Sequence, residues 1–160
     1  MSKRWSKLKK EIESLFVDGL PLSVHCTDMY RAVDSRKYNS GEGYSLQTLG
    51  NYRVVLGKQE LWELPKDFIT RNPESWPKDG PWSYSAKDIN IVVRDYIDTP
   101  KNELLIKEFD NDIYGITRLF LAADRRISLS KLKDYFDKNR NDAAQGILEV
   151  RCSNDRLTTR

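Results

Sequence analysis

The hydrophobic period of this chain changes partway along, and that change limits the folds open to it. Between residues 22 and 64, on either side of a turn-rich loop at 34–43, apolar residues alternate with polar ones in short runs. Leu22, Val24 and Cys26 interleave with Ser23, His25 and Thr27, which predicts a strand buried on one face. Tyr44–Thr48 predicts a short strand. Tyr52–Leu56 and Glu60–Leu64 flank Gly57-Lys58-Gln59, a hairpin signal ended by Pro65.

From residue 85 onward the spacing is helical. Ile89, Val92, Val93, Tyr96 and Ile97 fall at i, i+3, i+4, i+7 and i+8. Ser85 with Asp88 resembles a capping box. Thr99-Pro100 predicts a short helix running to about Phe109. Asp112 is placed to cap a helix carrying Ile113, Ile116, Leu119, Phe120 and Ala123. Ser128 or Ser130 opens another with Leu129, Leu132, Tyr135 and Phe136. A last helix is expected from about Asp142 to Cys152. Before the strands, Trp5, Leu8, Ile12, Leu15 and Phe16 form one stripe of a helix over 2–16, with Ser2 as its cap and Gly19 and Pro21 beyond its end.

Strands followed by helices imply an α+β domain. It comprises an N-terminal helix, a small antiparallel sheet of three or four strands and a helical C-terminal half. One domain over 1–152 is expected, with a fraying polar tail at 153–160. The chain of 160 residues is long enough to bury roughly 70% of its unfolded surface without disulfides or metals. Its 4 Trp, 8 Tyr and 5 Phe exclude a disordered composition.

Reactive side chains are scarce. The chain has one histidine, His25, and two cysteines, Cys26 and Cys152. Any Ser-His-Asp triad would have to use His25, and a Cys/His zinc cage lacks ligands. No phosphate loop, dinucleotide fingerprint or metalloprotease motif is present. His25 is expected to be structural or solvent-facing, and Cys26 a small buried apolar group. Pairs such as Glu60 with Glu63 and Asp110 with Asp112 offer acid/base groups, but chance supplies them among 24 acidic residues. No cofactor is expected. Two well-separated cysteines, no apolar run of membrane length and a charged start suggest a cytoplasmic protein with no membrane partner.

Three features suggest contact with a partner. Trp76-Pro77-Lys78-Asp79-Gly80-Pro81-Trp82 holds two indoles on a proline-stiffened loop, as anchors if exposed and as core plugs if buried. Asp124-Arg125-Arg126-Ile127 places two guanidiniums at a helix end. They can grip a phosphate or carboxylate, or offset the helix dipole while Asp124 pairs locally. Lys3, Arg4, Lys7, Lys9 and Lys10 precede the first acid, Glu11, and Lys3, Lys7 and Lys10 with Arg4 give the first helix a basic face. A formal charge of +3 is too diffuse for a dedicated nucleic-acid binder. Tyr30, Tyr44, Tyr52 and Trp62 with Arg31 and Arg53 could form a stacking face for RNA, although aromatics in strands ordinarily pack.

Two segments carry a resemblance: Trp5 through Phe16, and Tyr114-Gly115-Ile116-Thr117 through Ala122-Ala123-Asp124-Arg125-Arg126-Ile127 to Ala143-Ala144. They resemble a family of small bacterial cytosolic proteins of undefined activity, some carried on mobile gene cassettes. The resemblance implies a bacterial cytosolic protein and brings no catalytic residues. The expected function is a non-enzymatic binding module for an unidentified protein partner or a second copy of itself. Trp76 and Trp82 are its expected anchors, and Arg125 and Arg126 its charged rim. Nucleic-acid binding through the first helix and a carboxylate-based enzyme are the alternatives.

Overall fold

A computed structural model describes residues 5–31, 48–64, 86–110, 112 and 114–158. In chain order these form α1 (Trp5–Glu13), β1 (Leu22–Arg31), β2 (Thr48–Leu56), β3 (Gln59–Glu63), α2 (Ala86–Asp98), a 3-10 turn (Lys101–Glu103), α3 (Ile116–Ala123), α4 (Leu129–Lys138) and α5 (Asp142–Thr158). The fold is α+β, with a three-stranded antiparallel sheet ordered β1-β2-β3.

Alternation sets the faces of the sheet. Leu22, Val24, Tyr52, Val54 and Leu56 are buried against the helices, while Ser23, His25, Arg53 and Val55 lie on the opposite face. Leu22 pairs with Leu56 and Val24 with Val54, so the two apolar rows meet. The β2–β3 turn is Gly57-Lys58, one residue tighter than the sequence suggests. Gly57 has φ 62°, which the tight turn requires and glycine adopts without steric cost.

The outer edge of β1 is covered by α1. Glu13 accepts a hydrogen bond from the Val24 N–H at 3.0 Å, and Lys9 donates to the Val24 carbonyl at 2.7 Å. Lys9 and Glu13 also pair with each other at 2.7 Å. One i, i+4 ion pair thus occupies the outward N–H and carbonyl of Val24, groups that an edge strand would otherwise offer to another chain.

The helix expected over 2–16 ends at Glu13, so Trp5, Leu8 and Ile12 of the stripe lie on α1 while Leu15 and Phe16 follow it in a turn and a bridge. Leu8, Ile12 and Phe16 are buried, and Trp5 and Leu15 pack against them. Trp5 meets Tyr52 edge-on at 5.3 Å, and Glu11 pairs with Arg94 of α2. In α2, Ile89, Val92, Val93 and Tyr96 are buried as their spacing predicts. Tyr96 and Phe120 pack edge to face at 5.3 Å, joining α2 to α3. Each large ring is worth about 3–5 kcal/mol against alanine when fully buried.

The helix expected from Thr99 to Phe109 is only the 3-10 turn Lys101–Glu103. Thr99 closes the preceding helix instead, donating to the Asp95 carbonyl at 2.6 Å. Asp112 caps α3 as expected, accepting from the Ile116 and Thr117 N–H groups at 3.0 and 2.9 Å. Gly115, with φ 77°, makes the turn into that helix. Asn141 caps α5 by accepting from the Ala144 N–H at 3.0 Å. Residues expected to fray after Ser153 stay helical as far as Thr158. Ser153 bonds back to the Glu149 carbonyl, and Asp155 attracts Arg151 one turn earlier.

Candidate functional site

The turn after α3 is the most heavily bonded polar place in the described structure. Phe16 and Asp124 form an antiparallel bridge. The Arg125 N–H donates to the Leu15 carbonyl at 2.8 Å, and the Val17 N–H to the Ala123 carbonyl at 2.9 Å. Arg151 reaches in from α5 and donates to the carbonyls of Ala122, Asp124 and Ile127 at 2.9, 3.3 and 3.2 Å. The Ala122 carbonyl is one that the C-terminus of α3 leaves without a helical partner, and the other two belong to the turn that follows. Burial lowers the pKa of Arg151, and Asp155 and Asp124 oppose that shift.

Asp124 has no exposed surface. Its carboxylate accepts from the Tyr96 hydroxyl at 2.7 Å, from the Arg126 backbone N–H at 2.9 Å and from the Arg126 guanidinium at 3.0 and 2.7 Å. Arg126 also donates to the Thr99 carbonyl at 3.3 Å and lies 6.0 Å from the Tyr96 ring centre. The bond to Asp124 raises the pKa of Arg126. Burial, followed by the Asp124 charge, pushes the Tyr96 hydroxyl well above 10.0. The two adjacent arginines therefore differ. Arg126 braces the turn through Asp124, while the Arg125 side chain is exposed.

Two clefts open on either side of Leu105, which lines both. The smaller, about 240 Å³, lies between the 3-10 turn and the start of α4. Lys101, Asn102, Arg126, Ser128 and Lys131 give it its polar lining, with no carboxylate among them. Ser128 precedes α4 without capping it through its side chain, so the helix start adds its positive end to the same cleft. The larger, about 450 Å³, lies between residues 105–112 and the helices α3 and α4. Arg118, Tyr135, Phe109, Glu108 and Asp110 are among its walls. Arg118 donates to the Tyr135 hydroxyl at 3.1 Å. Nothing in the sequence pattern singles out Arg118. It is one polar position on an apolar helix, and the cleft around it is assembled from three separate segments.

Trp76 and Trp82 fall outside the described residues. On the basic face of α1, Lys7 and Lys10 are exposed, and Lys3 and Arg4 lie outside the described residues, while the neighbouring Lys9 is tied to Glu13 and Val24. Tyr52 has no exposed surface and donates to Asn90 at 3.1 Å, so it cannot stack on a base. Trp62 is half-buried and donates to the Tyr114 carbonyl at 3.0 Å. His25 lies within 2.8 Å of the Ser23 hydroxyl. Burial, Lys9 and Arg53 lower its pKa. Of the carboxylate pairs, Glu60 is 3.6 Å from Arg53 and Asp112 is occupied by the α3 cap. Cys26 and Cys152 are free and half-buried, and burial raises the Cys26 thiol. Among the described residues no cluster could hold a metal ion, and no helix is long and apolar enough to cross a membrane. No protein family, curated protein or solved structure compared with this chain matches it.

Proposed function

We propose that this protein is a non-enzymatic, cytosolic binding module for an acidic surface on a protein partner. The observation that carries this reading is the cleft of Lys101, Arg126 and Lys131 beside an arginine whose orientation is fixed in advance. Because Asp124 already immobilises Arg126, a partner that touches its outer edge loses less side-chain entropy than it would at a free arginine. Arg125 extends the positive rim, and Trp76 and Trp82 are the proposed apolar anchors. A bacterial cytosolic setting follows the resemblance carried by the 5–16 and 114–144 segments.

The test is fluorescence anisotropy with a labelled polyglutamate peptide and a mixed-sequence oligonucleotide, at low and physiological salt. The expected result is peptide binding that survives physiological salt and falls when Lys101→Glu and Lys131→Glu are combined. Trp76→Ala with Trp82→Ala should weaken capture of a protein partner without unfolding the chain. Oligonucleotide binding with a steep salt dependence, and none to the peptide, would replace this reading with the nucleic-acid one. A mass twice 18.7 kDa by light scattering, lost in the double-charge variant, would make the partner a second copy.

A further inference from the structure

The larger of the two clefts beside Leu105 differs in its charge balance. Arg53, Arg94, Arg126 and Arg140 each lie beside a carboxylate, and Arg151 is held by three carbonyls. Arg118 is half-buried, yet its one bond among the described residues goes to a neutral group, the Tyr135 hydroxyl. Withdrawing a guanidinium from water without an anion is costly. Among the described residues most of its five donors remain open.

Those donors line a cleft of about 450 Å³, within the range of small-molecule sites. Its acids are not equivalent. Asp112 is used up by α3, accepting from Ile116 and from both the N–H and the hydroxyl of Thr117. Glu108 and Asp110 are exposed and available. Lys107 is turned away toward Asp95 and Thr99, at 2.6 and 3.1 Å. The open charges are therefore one guanidinium and two carboxylates. A phosphate ester would meet two like charges, whereas a ligand carrying both a carboxylate and an ammonium matches what is present. Leu105, Phe109 and Leu121 supply apolar wall, and Ile106, 78% exposed, stands at the rim.

We propose that this cleft binds a free α-amino acid with an apolar side chain. The carboxylate lies on Arg118, the ammonium toward Glu108 and Asp110, and the side chain against Phe109 and Leu121. Tyr135 positions the guanidinium. This site is separate from the Lys101–Lys131 cleft, and the inference does not depend on the acidic-partner reading.

The test is titration of the full chain with L-leucine and L-phenylalanine, followed by NMR and calorimetry, beside L-phenylalanine amide and N-acetyl-L-phenylalanine. The expected result is saturable binding of at least one amino acid at about 1 mM or tighter. Each blocked analogue should lose at least about tenfold, the size of one charge-assisted contact. Arg118→Gln should remove binding. Arg118→Lys keeps the charge without the fork and should retain a weakened site. No binding of either amino acid at about 10 mM would overturn the proposal. Equal binding of the amide would overturn the Arg118 contact, and equal binding of the N-acetyl compound the acidic one. Should Arg118→Gln fail to fold, the analogues and Arg118→Lys still decide the matter.

Discussion

The two ends of α3 treat arginine in opposite ways. At its C-terminal end, Arg126 lies on a carboxylate that has no exposed surface, and Arg151 satisfies three carbonyls. Near its N-terminal end, Arg118 meets only a tyrosine hydroxyl inside an open cleft. The first arrangement spends its hydrogen-bonding capacity internally and joins α1, α2, α3 and α5. The second leaves that capacity unspent. A polar cluster that is fully satisfied contributes to the fold, and one that is partly satisfied is available to something else.

That contrast predicts unequal costs. Asp124→Asn removes the carboxylate charge while keeping the volume, stranding Arg126 and weakening the bond from Tyr96. It should lower unfolding free energy by about 3–5 kcal/mol, the range for breaking one side of a buried pair. A denaturant titration showing a loss below about 1 kcal/mol would mean that water already solvates the turn. Tyr96→Phe should cost about 1–3 kcal/mol by removing one hydrogen bond to the buried carboxylate, whose Oδ2 then keeps only Arg126.

The same variant should alter the response to alkali. The folded-state pKa of Tyr96 is raised above its ordinary 10.0, so its contribution is fully present below pH 10.0 and lost as pH rises beyond that value. Wild type should lose stability above pH 10 more steeply than Tyr96→Phe. Identical alkaline profiles would show that the hydroxyl titrates elsewhere than in this bond.

At the other end of the helix the expectation reverses. Arg118→Gln should change stability by no more than about 0.5 kcal/mol, since no carboxylate is stranded. A loss as large as that of Asp124→Asn would erase the distinction between the two regions. The smallest effect concerns His25, on the outer face of the sheet. Its pKa is lowered in the fold by burial, Lys9 and Arg53. Its contribution is therefore complete above the unfolded value of 6.5 and is lost as pH falls through the lower folded value. NMR titration should give a midpoint below 6.5, and His25→Gln should flatten the stability profile on the acid side.

Much of the fold was legible along the chain because its elements carry their own signals. The stripe of Leu8, Ile12 and Phe16 is buried, the Gly57 turn joins two strands, and Asp112 caps α3. The helix expected after Thr99 failed because one hydroxyl had two local uses, and contacts within the 95–107 segment favour the backward one. Thr99 closes α2 while Lys107 bridges it to Asp95, leaving only a 3-10 turn.

The candidate sites were less legible. Arg125 and Arg126 looked alike in sequence and differ in the fold, since only one of them meets a carboxylate and the Tyr96 ring. Arg118 carried no signal at all. Periodicity and capping are properties of neighbours in the chain, so the sequence by itself determined most of the helices and strands and which of their faces are buried, but not the 3-10 turn at Lys101–Glu103 or the helical end at Thr158. The charge state of a cleft depends on groups brought together from residues 105 to 139, and the bracing of Arg126 on Tyr96, 30 positions away. Only the tertiary structure decided which arginine met a buried carboxylate and which, among the described residues, met a tyrosine hydroxyl alone, because desolvation and pairing act through space rather than along the chain.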